Sequence, residues 1–443
     1  MSDDADGAGA GSMAKAVRET AGSAKGGGYR SGMRKLFPAV LFASALIVSA
    51  AEIPRVLLGS EVLAAGGFKE LAGRRVGLIT NPSGVNRRLE STIEVLRRAP
   101  GVKLVALFGP EHGIYGDVPA GDKVESRTDV RTGLPVHSLY GATRKPTAAM
   151  LRGLDVVVYD LQDTGARSYT FISTMGLAME ACAEAGVEFM VLDRPNPLGG
   201  IRIEGPRLLD ERLRSFVSQW DVPYVYGLTC GELARMINGR GWIRKPCKLT
   251  VIPMRGWRRD MTWRDTGLPW VPASPHIPHG ESPLFQVATG MLGEIGGVSI
   301  GVGYTLPFQT IAAPKVDPHA LAADLNARGI AGVHFRPLTY KPYYGAFKDE
   351  VIGGVQLHFT DLAGAPLTAI NYHALEALRK VAGRDLFAEA MKAGKKFDMF
   401  DKVNGTAATR EALQAGRPAA EIITGWRAGE DAFRRERQPY LLY

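Results

Sequence analysis

Cysteine is scarce in this chain of 443 residues, which contains only Cys182, Cys230 and Cys247. None belongs to a C-x-x-C pair or has histidine partners at metal-ligand spacing, so the sequence predicts no metal site. Cys182 lies in an apolar helical pattern and is expected to be a buried hydrophobic residue. Cys230 and Cys247 are either free or joined by a disulfide, because export to an oxidising compartment would permit one.

Three motifs of common α/β enzymes are also missing. No G-x-G-x-x-G follows the first predicted strand, and Gly301-Val302-Gly303 lacks the third glycine and lies far from that strand. The chain has no G-x-x-x-x-G-K-[ST] phosphate loop and no G-x-S-x-G nucleophile elbow. These absences disfavour dehydrogenases, kinases and esterases, and the sequence predicts no cofactor.

Basic residues exceed acidic ones, giving a formal net charge of +9, but no Lys/Arg cluster is interleaved with aromatic residues. A nucleic-acid partner is therefore not expected, whereas a basic surface suits another anionic polymer. The sequence does not predict an oligomeric state.

Long apolar runs are rare, and the clearest lies near the N-terminus. Residues 1–32 are rich in Gly, Ala and Ser without periodicity and are expected to be unfolded. Met33–Ala50 then has the pattern of an export signal, with Arg34-Lys35 before the apolar run Leu36–Val48. That run of about 13 residues is shorter than the ~20 that span a bilayer, so an uncleaved anchor is the weaker alternative. We expect an exported protein, periplasmic or extracellular, with no stable membrane partner.

The rest of the chain alternates short β-rich runs with helical patterns. The runs are almost continuously apolar, which is typical of strands buried on both faces of a parallel sheet. An α/β fold is predicted, with a doubly wound, mostly parallel sheet in residues 60–283 and a smaller α+β domain in residues 284–443. The predicted strands are 75–80, 103–108, 136–140, 155–160, 188–193, 333–340 and 354–360, and the predicted helices are 92–99, 174–185 and 372–381.

One long segment, Ile252–Pro283, is rich in proline and carries Trp257, Trp263 and Trp270. It predicts an irregular covering loop. Its indole rings are expected to pack on the core, with stacking on a sugar as the alternative.

Polar residues follow four of the first five predicted strands. Ligands of open parallel sheets bind beyond the carboxyl ends of the strands, so these residues are expected to share one site. They are Asn81 and Ser83 after the first strand, Glu111 and His112 after the second, Asp160, Gln162 and Asp163 after the fourth, and Asp193, Arg194 and Asn196 after the fifth.

Glu111 is the strongest catalytic candidate in this set. Pro110 and the flanking Gly109 and Gly113 favour a tight, rigid turn that holds its carboxyl group. Partial burial would raise the pKa of Glu111, as a general acid requires; the alternative is a carboxylate that caps the next turn. His112 is expected to orient Glu111, to bind a hydroxyl or simply to fill space.

A second carboxylate is available in Asp160 or Asp163, between which the sequence does not choose; either is a candidate catalytic partner or a ligand of sugar hydroxyls. Arg167, Tyr169 and Thr170 open the next helical segment. There a guanidinium group would favour an anionic substrate, or Arg167 would pair with one of the two aspartates.

These motifs together resemble the NamZ-type exo-β-N-acetylmuramidases over most of residues 70–443. The resemblance rests on LITNPSGVN (78–86), LFGPEHGIYGDVPAGDKV (107–124), VYDLQDTGARSYTF (158–171), VLDRPNPLGG (191–200), IEGP (203–206), VIPMRGW (251–257), TGLPWV, SPHIP, GVQLHFTD and the closing YLLY.

The resemblance implies a Rossmann-like N-terminal domain, a C-terminal domain and a cleft that releases N-acetylmuramic acid from the non-reducing ends of peptidoglycan fragments. It makes Glu111 the catalytic carboxylate, expects muropeptides as partners, and adds Glu204 and His276 to the substrate-binding candidates.

Two segments depart from the family pattern. Ser299–Gly303 reads Ser-Ile-Gly-Val-Gly where the family usually has Ser-Glu-Gly-Arg-Gly, and Gln309 stands where the family has Glu. His276 also replaces a usual Asn. These departures leave three outcomes open: the same reaction, preference for another amino sugar, or a protein that binds glycan without cleaving it.

Overall fold

The computed structural model describes residues 56–443. The predicted unfolded leader and the export signal lie outside the described residues. Among residues 56–443, no helix combines the length and the apolar character needed to cross a membrane.

A seven-stranded sheet forms the first part of the fold, with the strand order β3-β4-β2-β1-β5-β6-β7. All neighbouring strands pair in parallel except the short edge strand β3, which is antiparallel to β4. The predicted α/β class is confirmed. The strands are β1 Arg75–Thr80, β2 Lys103–Gly109, β3 Arg127–Thr128, β4 Pro135–Ser138, β5 Val156–Asp160, β6 Glu188–Leu192 and β7 Leu249–Ile252.

Helices cover both faces of this sheet, because its central strands are apolar on both. In β5, Val157 and Tyr159 pack on one side, whereas Val156 and Val158 pack on the other. This alternation is the period of two that a strand imposes on its side chains. The helices of this part are α1 Gly59–Ala65, α2 Thr92–Arg98, α3 Ala148–Leu151, α4 Phe171–Ala185 and α5 Cys230–Gly239.

The second part is built on a three-stranded antiparallel sheet, β8-β10-β9. One apolar cluster joins its strands to the surrounding helices and includes Ala166 and Tyr224 from the first part of the chain, so the two sheets pack as one unit. The elements are α6 Ser282–Ile295, β8 Thr310–Ala313, α7 Pro318–Ala327, β9 Val333–Tyr340, β10 Ile352–Phe359, α8 Leu367–Ala382, α9 Leu386–Lys392, α10 Asp398–Asn404, α11 Ala408–Gln414, α12 Ala419–Thr424 and α13 Arg427–Glu436.

The tryptophan-rich segment is largely irregular, with one 3-10 turn at Arg264–Thr266. Trp257 packs edge-on against Tyr443 with the ring centroids 5.1 Å apart, and Trp263 packs edge-on against Trp270 at 4.8 Å. Trp257 and Trp263 are buried. Their rings therefore serve packing rather than sugar stacking.

The three cysteines are all buried and free, so the alternative of a Cys230–Cys247 disulfide is wrong. Cys230 starts α5, with its sulfur 4.0 Å from the Tyr159 hydroxyl. Cys247 lies instead near Cys182, and burial together with this neighbour raises the pKa of the Cys182 thiol. The two cysteines thus face different surroundings.

Asp160, at the end of β5, is fully buried and forms an ion pair with Arg194, which follows β6. The Arg194 Nε lies 2.5 Å from Asp160 Oδ1 and its Nη2 lies 3.1 Å from Oδ2, while the Thr92 hydroxyl at the start of α2 also donates to Oδ2. Both carboxylate oxygens are occupied. Asp160 therefore ties β5, β6 and α2 together, which does not fit the predicted roles of Asp160 as catalytic partner and of Arg194 as substrate ligand.

Arg167 is also fully buried, and the expectation that it binds an anionic substrate group does not fit this placement. Its guanidinium donates to the carbonyls of Pro206 (2.7 Å), Val222 (2.6 Å) and Val403 (2.7 Å). The alternative of a pair with Asp160 or Asp163 is wrong as well. Burial lowers the pKa of Arg167 to about 10, and the side chain ties three distant segments together.

Replacing Asp160 by asparagine is expected to lower the free energy of unfolding by about 3 kcal/mol, because Arg194 would keep a buried charge without its counter-ion. Denaturant unfolding followed by circular dichroism measures this loss. Asp117→Asn is the matched control: Asp117 is exposed and lies 3.9 Å from Arg127, and its loss should change stability by less than about 0.5 kcal/mol. Equal stability of the two variants would contradict the assigned role of Asp160.

Candidate active site

The strand order reverses between β1 and β5, where doubly wound folds usually bind ligands. Here that crevice is closed. The Ser83 hydroxyl accepts from the Gln162 backbone N–H at 3.0 Å, and the Asn81 amide donates to the carbonyl of Ala273 at 2.9 Å. Trp263 and Trp270 line what remains, a void of about 10 Å³. Asn81 thus holds the covering loop in place, and Ser83 holds the segment that follows β5.

Glu111 lies in a tight turn after β2 and is 8% exposed. The Pro110 carbonyl accepts from the Gly113 N–H at 2.9 Å, and His112 and Gly113 both have positive φ, 70° and 74°. A non-glycine residue in this conformation carries strain of about 1–2 kcal/mol, and such strain is common at functional sites.

Two donors fix the Glu111 carboxylate. Its Oε1 accepts from the Gly121 backbone N–H at 2.9 Å, and its Oε2 accepts from the Thr170 hydroxyl at 2.6 Å. Thr170 immediately precedes α4, so this bond joins the turn after β2 to the segment after β5. The predicted proximity of these two strand ends is present in the structure.

Two tyrosines flank Glu111. Burial, followed by the nearby Glu111 charge, raises the pKa of Tyr140 to about 12. Burial also raises the pKa of Tyr169, with smaller contributions from the charges of Asp163 and then Glu111. Tyr169 therefore lies within electrostatic range of both carboxylates.

Asp163 differs from Asp160 because one of its oxygens is free. Oδ2 accepts from the Tyr226 hydroxyl and from the Gly165 N–H at 2.7 Å, whereas Oδ1 is buried without a hydrogen-bond partner among the described residues. Burial raises the pKa of Asp163 to about 6. Of the two predicted second carboxylates, Asp163 is the one with a free oxygen.

The loop between β5 and α4 carries further buried polar atoms without a partner in the described part of the chain. They are Gln162 Oε1, Asp163 Oδ1 and the Thr164 hydroxyl. Buried polar groups are normally paired, so a run of unpaired ones in a single loop needs an explanation. Buried water or a polar ligand bound against this loop would pair these atoms.

Histidines form the other side of the Glu111 turn. His112 Nδ1 lies 2.8 Å from the carbonyl of Val118 and donates to it, which leaves Nε2 as an acceptor when the ring is neutral. His276 is near enough to His112 that the latter contributes, after burial, to lowering the His276 pKa. His276 Nε2 lies 2.9 Å from the Tyr344 hydroxyl, so the loop between β9 and β10 reaches this site.

The remaining residues that were predicted to bind substrate form hydrogen bonds or ion pairs within the protein. The Asn196 amide bridges the Leu228 carbonyl and the Leu198 N–H, both at 2.9 Å. Asp193 accepts from Gly231, Thr229 and Tyr443 at 2.7–2.8 Å, and burial raises its pKa to about 6. Glu204 pairs with Arg202 and accepts from the Thr368 N–H at 2.8 Å. These groups maintain the architecture around the site.

The departures from the family pattern at positions 300, 302 and 309 lie in two places. Ile300 is buried in the core and Val302 packs against it, so neither position presents a polar group. Gln309 instead lines a cleft of about 1030 Å³ together with Glu204, Phe285, Phe359 and Arg434. Glu111 does not line that cleft.

Sequence reasoning left Tyr140, Thr170 and Tyr344 out of the site. Tyr140 had a usable signal, because it stands at the end of the third predicted strand, just as Glu111 follows the second. Thr170 was recognised only as part of a helix start. Tyr344 had no signal, since its position depends on how the second sheet packs.

Comparisons with known proteins agree over nearly the whole described chain. Residues 76–281 match the family model described as exo-β-N-acetylmuramidase NamZ, N-terminal, and residues 286–443 match its C-terminal counterpart. The two matches adjoin near the predicted division at 283/284, which stays a prediction. The chain is 40% identical over 393 residues to the peptidoglycan β-N-acetylmuramidase NamZ of Bacillus subtilis, covering 89% of this chain and 92% of the relative.

Two crystal structures of DUF1343 family proteins from Bacteroides fragilis are similar as well. One has a TM-score of 0.83 at 49% identity and the other 0.68 at 27%, and each alignment covers 88% of this chain and 99% of the other. Both family models and the extent of the similarity lead to one conclusion: this chain belongs to the NamZ exo-β-N-acetylmuramidase family.

Proposed function

We propose that this protein is an exo-acting glycosidase that releases a terminal β-linked N-acetylmuramic acid from peptidoglycan fragments and so serves cell-wall turnover. The observation that carries the proposal is the buried Glu111 carboxylate, fixed by Gly121 and Thr170 beside a loop of unpaired polar atoms. Such a loop can bind sugar hydroxyls while the carboxyl group acts on the glycosidic bond.

Glu111 is assigned as the general acid that protonates the leaving oxygen. The Thr170 hydroxyl and the Gly121 N–H hold the carboxyl group in one orientation, as proton transfer to a bound substrate requires. Tyr140 beside it is protonated at neutral pH, as tyrosines ordinarily are, and burial raises its pKa further, to about 12.

Asp163 is assigned as the partner carboxylate. Its Oδ1 has no hydrogen-bond partner among the described residues, and we assign it one of three roles: activating water, attacking the anomeric carbon or polarising the substrate acetamide. Asp160 is excluded because it is fully buried in an ion pair with Arg194, whereas Glu111 has no cationic partner among the described residues. The assignment rests on these contacts and does not choose among the three roles.

Glu111→Gln is expected to lower the kcat for a chromogenic β-N-acetylmuraminide by at least about 10³-fold while leaving binding of the sugar intact. Glutamine keeps the shape, since its oxygen can accept from Gly121 and its amide can donate to the Thr170 hydroxyl. Turnover by the purified protein and calorimetric binding of the sugar measure the two effects.

The competing function is a glycan-binding protein without activity, which the residues at 300, 302 and 309 motivate. Binding without turnover in the unmodified protein would favour that function. Undiminished turnover by Glu111→Gln would contradict the assigned acid. Running the N-acetylglucosaminide in parallel identifies a changed sugar preference.

The activity is expected to fall as the pH drops through about 6, because the Asp163 carboxylate, whose pKa is about 6, then gains a proton and loses each of its three possible roles. Asp163→Asn should reduce kcat/KM by at least about 10²-fold across the whole range. Asparagine can keep the bonds from Tyr226 and Gly165 through its oxygen. The pH profile of kcat/KM is the measurement.

Protonation of Asp163 and Asp193 does not itself destabilise the fold in this pH range. The pKa values of Asp163 and Asp193 are raised in the folded protein, so it binds more protons than the unfolded chain between pH ~4 and ~6, and these groups favour folding on the acid side. An acid limb that remains near pH 6 in Asp163→Asn would contradict the assignment.

The same proposal places the protein outside the cytoplasm, where peptidoglycan lies. The support is the basic, apolar and small-residue pattern of Met33–Ala50. Amino-terminal sequencing of the protein purified from its native cells should find a chain that starts at Ala51. Recovery of the intact segment in the cytoplasmic fraction would contradict export.

A further inference from the structure

We propose that Arg144 recognises the lactyl carboxylate that distinguishes N-acetylmuramic acid from N-acetylglucosamine, and thereby determines the sugar preference of this enzyme. The inference rests on the proposed function and adds to it the residue that reads the anionic substituent.

Two aromatic rings hold Arg144 in place. Its guanidinium carbon lies 4.9 Å from the ring centroid of Tyr140 and 4.5 Å from that of Phe216. The two rings lie 5.6 Å apart and are inclined at 46°. Contact with two π faces orients an exposed arginine that would otherwise sample many rotamers. The cation is therefore pre-organised.

Tyr140 lies between Arg144 and the proposed catalytic acid, Glu111. The hydroxyl end of its side chain lies beside Glu111, whose charge contributes to its raised pKa, while its ring carries Arg144. Arg144 therefore lies one tyrosine side chain from the proposed acid. A sugar whose glycosidic oxygen meets Glu111 can direct its C3 substituent toward Arg144.

Arg144 has no carboxylate within ion-pair distance and no side-chain hydrogen bond among residues 56–443. Cations close to it in sequence or in the site are committed to other groups. Lys145 pairs with Glu180 and Glu184 at 2.8 Å, Arg194 pairs with Asp160, and Arg167 donates to three carbonyls. An uncommitted guanidinium at the edge of a glycan site is suited to a carboxylate, which it can bind through two parallel hydrogen bonds.

The segment Ser299–Gly303 cannot supply this charge, because Ile300 is buried in the core and Val302 packs against it. Recognition of an anionic sugar must come from another place. Arg144, which lies in the first part of the fold, supplies a positive charge that is not paired with a carboxylate among the described residues.

The test compares Arg144→Gln with the unmodified enzyme on two chromogenic substrates. We expect kcat/KM for the β-N-acetylmuraminide to fall by about 30-fold or more, and kcat/KM for the β-N-acetylglucosaminide to change by less than about threefold. Arg144→Lys keeps the positive charge but loses the planar guanidinium group. Its kcat/KM for the β-N-acetylmuraminide should therefore lie between the values for the unmodified enzyme and for Arg144→Gln. The methyl ester of the muraminide, which lacks the charge, should be insensitive to Arg144→Gln.

Arg152→Gln is the matched control, since Arg152 is also exposed and without a side-chain partner among the described residues, but it precedes β5 at the opposite edge of the sheet. Its substitution should leave both substrates unaffected. Equal losses on both sugars in Arg144→Gln would overturn the inference by showing that Arg144 only supports Tyr140. An unchanged ratio of kcat/KM for the muraminide to kcat/KM for the glucosaminide in Arg144→Gln would overturn the inference as well.

Failure of the proposed function is separable from failure of this inference. If the unmodified protein cleaves neither sugar, the hydrolase proposal fails, but calorimetry still tests Arg144 by the affinity for free N-acetylmuramic acid relative to N-acetylglucosamine. A preference for the acid that disappears in Arg144→Gln supports the inference. A preference that persists in the variant overturns it.

Discussion

The buried ion pair between Asp160 and Arg194 is the interaction on which the candidate site depends. It fixes the end of β5 against the residue that follows β6 and, through Thr92, against the start of α2. The loop that begins immediately after Asp160 carries Gln162, Asp163 and Tyr169. A charge pair in the interior is expensive to break, so this loop leaves the sheet from a fixed point.

Strand-end reasoning placed Glu111 and Asp163 at one edge of the sheet, and the structure brings the two strand ends together through Thr170. Glu111 could be singled out because the apolar run before it shows where its strand ends, whereas the choice of Asp163 over Asp160 needed the contacts of the structure. The same rule predicted substrate-binding roles for Asp193, Arg194 and Asn196, whose side chains instead form contacts within the protein. A polar residue at a strand end can serve a ligand or the fold, and the difference depends on partners that lie far along the chain.

Arg167 shows why such partners escape prediction. Its acceptors are backbone carbonyls of Pro206, Val222 and Val403, and a backbone carbonyl leaves no trace in a sequence. Tyr344 is the opposite case, a site residue supplied by a loop of the second sheet. The fold class could be predicted from the periodicity of apolar residues. The contacts of Arg167 and Tyr344 could not, because they depend on how the two parts of the fold pack against each other.

Residues late in the chain complete the interior of the first domain. The Tyr443 hydroxyl donates to Asp193, and the Val403 carbonyl accepts from Arg167. The Asp193 carboxylate and the Arg167 guanidinium have nearer partners as well, but each obtains its last one from a residue more than two hundred positions later in the chain. The packing of this part is therefore complete only when the segment that contains Val403 and Tyr443 has been made.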